Sequence, residues 1–174
     1  MKEEKPLKKK GHHNRDDLAG EHVFGDLGQV ILMLLFLTAW IIDSFVIRYS
    51  IFLSETVPLI VRLSASFIVF LVAGYLAKVG LRIVFGEVRE EPVVIRQGVF
   101  NIIRHPVYLG AMLFYLGMLI MTFSIIAAII FLFIIAFYHF IAKKEEEILL
   151  EKFGKDYEAY MKEVPMWLPR SRKK

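Results

Sequence analysis

From residue 106 to residue 142 the chain contains no Asp, Glu, Lys or Arg. As one helix rising 1.5 Å per residue, this stretch would be about 55 Å long, yet a bilayer's hydrocarbon core is only about 30 Å thick. The stretch therefore predicts two short antiparallel helices, roughly 107–121 and 124–142, with a tight turn near Met121–Ser124 where Thr122 and Ser124 interrupt the large aliphatics. Apolar residues make up 56% of the chain, above the about 45–50% of soluble domains, so lipid is part of its solvent.

The remaining sequence divides around this hairpin. Residues 1–26 are polar and Lys-rich without an early apolar run, which predicts a cytoplasmic arm and not a signal peptide. Leu27–Ile47 is long enough for a first span, with Asp43 near its far end as a solvated or hydrogen-bonded residue. Val57–Phe85 predicts a second span whose terminal cations Arg62, Lys78 and Arg82 snorkel. The polar segment from Gly86 to His105 reads as extended loop. Beyond Lys143, Ile148, Leu149, Phe153, Tyr157 and Tyr160 recur at helical spacing, which predicts an amphipathic cytoplasmic helix. Pro165 and Pro169 stop it, and Trp167 suits the interface. The predicted fold is thus all-α, a multi-pass helical membrane protein of about four spans with a short C-terminal helical hairpin and a cytoplasmic C-terminal helix.

Charge predicts the orientation. All Lys and Arg except Arg48 and Arg62 lie in the arm, in the 78–104 region or after 142. An even number of spans puts those regions on one side, so both termini are expected in the cytoplasm. The basic tail suits an anionic leaflet. No nucleic-acid motif accompanies the charge.

Two polar constellations flank the hairpin on that side. In GVFNIIRHPVYLG (98–110), Pro106 fits the first position of a helix and biases His105 toward extended backbone. Arg104 and His105 then stand at a helix N-terminus, where free N–H groups favour an anion such as a carboxylate. Gly110 and Gly117 share a face and permit close approach of a backbone or ligand. At the hairpin's exit stands Glu145-Glu146-Glu147. A hairpin returns its end to its starting side, which predicts these carboxylates facing Arg104 and His105 across one pocket.

Other chemistries lack support. There is no cysteine, which excludes disulfides and Cys-based metal sites. His12, His13, His22 and His139 form no HxxxH or HExxH pair, so no metal is expected. No GxSxG elbow, Walker loop or GxGxxG after a strand supports a hydrolase, ATPase or Rossmann reading.

Taken together, GVFNIIRHPVYLG, the apolar hairpin and EEEILLEKFGKDYEAYMKEVPMWLP resemble the isoprenylcysteine carboxyl methyltransferase family and its phospholipid methyltransferase relatives. The match covers roughly the C-terminal half. It implies S-adenosylmethionine as cofactor in a cytoplasmic pocket. By position, Val93, Val94 and Ile95 line it from the loop, Phe100 stands where the family usually has Tyr, and His105, Pro106, Val107 and Tyr108 contact it from the motif. Glu145 is implied as the ribose or amino-group ligand, Glu146 is the second acid of the pair, and Arg104 orders the pocket or holds an acidic substrate. On this basis the chain divides into an arm (1–26), N-terminal spans (27–85) and a methyltransferase core (86–174).

Methyl transfer from a sulfonium is an in-line displacement that mainly requires alignment and exclusion of water. A carboxylate acceptor needs only a cation such as Arg104 to orient it, whereas an amine must lose a proton, with Glu146 or His105 as base. Three departures from the family pattern leave the cofactor site, which includes Phe100, better preserved than the substrate site. Pro92 replaces a common His, Phe100 replaces Tyr, and Ile141 replaces a substrate-associated Arg; Lys143 and Lys144 are candidates to replace that cation, though the spacing does not require it. The expected function is an integral-membrane methyltransferase acting on a lipophilic acceptor in contact with membrane lipids, foremost an isoprenylcysteine-like carboxylate. The alternatives are N- or O-methylation of a phospholipid or other small lipid, and a non-enzymatic membrane scaffold.

Overall fold

The computed structural model describes residues 23–86 and 92–169, with the side chains of 23–26 left aside. The predicted arm (1–26, with His12, His13 and His22) falls almost wholly outside the described residues, as do the acidic segment at 87–91 and the basic tail from 170.

Among the described residues five α-helices follow one another: α1 (Val23–Ile41), α2 (Leu59–Phe85), α3 (Pro106–Thr122), α4 (Ile125–Phe153) and α5 (Lys155–Glu163). Helix α1 continues as a π-helical turn over Ile42–Ile47, and short 3-10 turns occupy Phe52–Glu55 and Gly98–Asn101. Among the described residues three stretches, Leu27–Ile47, Leu59–Phe85 and Ile125–Phe153, are long and apolar enough to cross a membrane, and α3 is a shorter apolar helix. The protein is all-α and multi-pass, with α3 and α4 forming the anticipated hairpin. Large apolar side chains face outward throughout, among them Ile60, Phe67, Leu132 and Phe133. In water such a surface would drive aggregation; against acyl chains it is the solvated face.

Without a hydrophobic driving force inside lipid, helices associate where small residues let backbones approach. Helices α2 and α3 do this. A Cβ on Gly110 would lie 2.9 Å from the Ala73 carbonyl oxygen, one on Gly80 would lie 2.7 Å from Val107 Cγ2, and one on Gly117 would strike the Phe70 ring. Numbering falls on one helix as it rises on the other, so the pair is antiparallel. Of the two glycines predicted to admit a backbone or a ligand, Gly110 admits the backbone of α2 and Gly117 admits the Phe70 ring. On the other flank, Gly28 of α1 accommodates the Phe137 ring of α4. Phe36 of α1 is fully buried and meets Tyr115 edge-on at 4.8 Å.

The hairpin turns at Phe123, which adopts a left-handed φ of 51°. Ser124 caps α4 by accepting the Ala127 N–H at 3.1 Å. Asp43 is buried at this end and accepts hydrogen bonds from the Ser50 N–H (2.9 Å), the Ser50 hydroxyl (2.5 Å) and the Ser124 hydroxyl (2.5 Å). Ser50 Oγ in turn accepts the N–H groups of Ile125 and Ile126. The acid thus locks the α1 terminus onto the start of α4, the hydrogen-bonded role expected of it. Arg62 snorkels here too, donating to the Met121 carbonyl at the end of α3.

One boundary differs from expectation. The cytoplasmic helix anticipated from 143 onward begins as an uninterrupted extension of α4 to Phe153. The change from apolar to charged residues at Lys143 marks a change of solvent, and Ala, Lys and Glu propagate a helix across it. The break comes at Gly154, whose φ of 55° suits glycine, and α5 starts beyond it.

Candidate functional site

Helix α3 begins, as its sequence predicts, with Pro106 at its first position and His105 held outside at φ −121° and ψ 64°. The preceding residue, Arg104, is fixed in both backbone and side chain. Its N–H donates to the Pro165 carbonyl at 3.0 Å. Its guanidinium donates through Nε to Glu146 Oε1 at 2.6 Å and through Nη1 to the carbonyls of Met161 (2.9 Å) and Val164 (2.5 Å). Those carbonyls lie at the C-terminal end of α5, where helix carbonyls lack internal partners and a cation is favoured. One arginine therefore ties the mouth of α3 to α4 and to α5.

His105 is 7% exposed and shares the same carboxylate, with Nε2 3.1 Å from Glu146 Oε1. Its Nδ1 lies 3.6 Å from Glu145 Oε2. The Tyr108 ring stacks parallel to the imidazole at 5.7 Å, and its hydroxyl donates to Glu145 Oε1. Glu146 is buried, whereas the Glu145 side chain keeps 19% of its surface exposed. The third acid, Glu147, turns outward and pairs with Lys144 at 2.7 Å.

The loop before the motif is pinned to α5. Arg96 donates to the Asp156 carbonyl at 2.7 Å, pairs with Glu163 at 3.2 Å and lies over the Tyr160 ring. Tyr160 donates to the Phe100 carbonyl at 2.7 Å, and Val94 packs against Tyr157, Tyr160 and Val164. Burial pushes both phenols above their ordinary value. The nearby Glu146 carboxylate adds to this at Tyr157, while the Arg104 and Arg96 cations oppose it at Tyr160. Both rings thus remain neutral phenols. At the rim, the Trp167 indole N–H donates to His139 Nδ1 at 3.1 Å, and the Trp167 ring lies 5.7 Å from that of His105.

The structure brings Arg104, His105, Tyr108, Glu145 and Glu146 into one cluster across the mouth of the hairpin. It does not bring Val107 there, because that side chain packs on Gly80 of α2 beside the fully buried Pro106. Of the loop residues, Val94 faces the α5 aromatics, Val93 is 52% exposed and Ile95 is half-buried. Phe100 contributes its carbonyl as an acceptor. Ile141 is buried, and Lys143 and Lys144 are exposed. Among the described residues, no group of three or more His, Asp or Glu is placed to hold a metal ion.

Sequence reasoning missed the clasp built by Arg96, Tyr157 and Tyr160, and the pairing of Trp167 with His139. The spacing of Tyr157 and Tyr160 showed a shared helix face, but not that the loop at 92–101 covers it.

No curated protein matches the chain significantly. A family model described as phospholipid methyltransferase matches residues 53–156, more than half of the chain, from the turn before α2 through the acidic pair to the start of α5. The chain belongs to the phospholipid methyltransferase family.

Proposed function

We propose that the protein is an integral-membrane S-adenosylmethionine-dependent methyltransferase whose acceptor is an amine headgroup of a membrane lipid. The observation that carries this reading is the cluster at the hairpin mouth, in which two carboxylates meet one committed guanidinium and a histidine. Residues 86–174 form the proposed core, and the spans at 27–85 support it by packing α2 along α3. The cation-rich end that bears the cluster is assigned to the cytoplasm.

The donor set fits S-adenosylmethionine. That molecule carries a sulfonium, an ammonium group and a pair of ribose hydroxyls, and Glu145 is a carboxylate exposed enough to meet it and aimed by Tyr108. Glu145 and the loop at Val93 and Ile95 would hold the cofactor. When bound, it supplies an electrophilic methyl group on a positively charged sulfur.

The chain's own residues then have separable tasks. Arg104 makes three side-chain hydrogen bonds, to Glu146 and to two carbonyls. It serves as a positioning residue, with its charge engaged by Glu146 and by the carbonyls at the end of α5. Glu146 accepts from Arg104 Nε and orients His105 through Nε2. With the Nε2 proton on the Glu146 side, the lone pair of a neutral His105 is on Nδ1, and that nitrogen takes the proton an ammonium headgroup must lose before it attacks. Carboxyl methylation of an isoprenylcysteine-like acceptor is the second reading, supported by the family resemblance of the motif.

Calorimetric titration of S-adenosylmethionine into detergent-purified protein tests the proposal. Wild type is expected to bind in the micromolar range, and Glu145→Ala to lose about 100-fold or more through removal of a charge-assisted contact. A folded wild type that fails to bind would transfer the weight to a non-enzymatic scaffold.

A further inference from the structure

Between Ile125 and Ala142 the outward face of α4 is built of residues such as Ile129, Leu132, Phe133 and Phe140. His139 lies on this exposed face. Placing an imidazole against lipid is costly unless its polar atoms are used, and an ionisable side chain in such a position marks a site with a nameable partner. One nitrogen is used, since the Trp167 indole N–H donates to Nδ1 at 3.1 Å. An indole N–H only donates, so Nδ1 is the acceptor and the proton of the neutral ring resides on Nε2. The exposed ring is thereby left with Nε2–H as its donor.

The location is specific. His139 precedes the Glu145–Glu146 pair on α4 by six or seven residues, about 10 Å nearer the membrane centre at 1.5 Å per residue. Trp167 spans the interval, its ring centroid 6.3 Å from that of His139 and 5.7 Å from that of His105.

From this juxtaposition we propose that His139, held by Trp167, is an acceptor-binding residue: its Nε2–H donates to a phosphodiester oxygen of a glycerophospholipid. The acyl chains then lie along the apolar face that carries Phe140, and the headgroup amine, two carbons beyond the phosphate, is directed past Trp167 toward His105. Among the described residues this donor is paired with no carboxylate, and at the depth where phosphate and ester oxygens reside it fits a phosphodiester better than a thioether tail. The inference rests on the lipid-acceptor reading above and adds the group that recognises the lipid.

The chain has two tryptophans, and Trp40 is occupied at the opposite end with Met118 and Thr122. In full-length Trp40→Phe protein in detergent, Trp167 is therefore the single reporter. Dihexanoyl phosphatidylethanolamine is expected to shift its emission saturably. Adding His139→Phe should weaken that binding about tenfold, and His139→Gln, whose amide restores a donor near the Nε2 position, should recover most of it. Farnesylcysteine, which lacks a phosphodiester, should bind without regard to residue 139. In turnover, His139→Phe should raise the lipid KM with little change in kcat.

Equal phospholipid affinity in the wild-type and Phe proteins would overturn the proposal. So would farnesylcysteine binding that depends on His139 as strongly as the phospholipid does. S-adenosylmethionine titration of the same preparations separates this failure from failure of the enzymatic reading, because Trp167 emission reports lipid binding with or without cofactor.

Discussion

Replacing Glu146 by Ala should abolish methyl transfer and destabilise the hairpin mouth by about 3–5 kcal/mol, because it leaves a buried cation without its counter-charge. Glu146 Oε1 is the shared acceptor of Arg104 Nε at 2.6 Å and His105 Nε2 at 3.1 Å, and all three side chains are less than a tenth exposed. The isosteric Glu146→Gln separates the two consequences. Its amide keeps the volume and a carbonyl acceptor, so the fold should persist, but it no longer offers a charge to orient and stabilise a protonated His105. Turnover should fall by about 100-fold or more, the range associated with losing a positioned base. Thermal unfolding in detergent beside a methyl-transfer assay reads both effects. Unchanged turnover in a well-folded Gln variant would remove Glu146 and His105 from the chemistry.

Arg104→Lys should be almost as damaging, although the charge is retained. Arg104 reaches Glu146, Met161 and Val164 at once because its donors diverge in a rigid plane. A lysine has one nitrogen on a flexible stem and cannot span a carboxylate on α4 and carbonyls on α5 together. The expected result is release of α5 and of the Arg96 loop packed on it, seen as faster limited proteolysis around 154–165 and at least tenfold weaker S-adenosylmethionine binding. The α1–α4 membrane bundle should remain intact. Proteolysis and binding like those of wild type would show that Arg96 and Tyr160 alone hold α5 in place.

The spans were legible because hydropathy over about 20 residues registers the thickness of a bilayer, which needs no knowledge of tertiary partners. The hairpin was legible for a related reason, since an uncharged run from 106 to 142 must fold back. That topology also brought Glu145 and Glu146 to Arg104 and His105. The continuation of α4 through Lys143 was hidden because hydropathy reports solvent while helix continuity follows propensity, and Gly154 was the informative residue. Two of Arg104's partners were illegible because they are backbone carbonyls at the end of α5, and any residue supplies a carbonyl. Val107 was assigned to the cofactor by family position, and its packing on Gly80 of α2 is visible only in the fold. Asp43 was readable as hydrogen-bonded, but Ser50 and Ser124 became its partners through the meeting of two chain turns.

The most direct test of the account is transfer of a labelled methyl group from S-adenosylmethionine to phosphatidylethanolamine in vesicles containing the purified protein. The account predicts label in the lipid fraction as a base-stable N-methyl product, absent with Glu146→Ala. A base-labile ester on a prenylcysteine added in competition, with no label in phospholipid, would contradict the amine acceptor. No label in either acceptor, from folded protein supplied with cofactor, would contradict the enzymatic account itself.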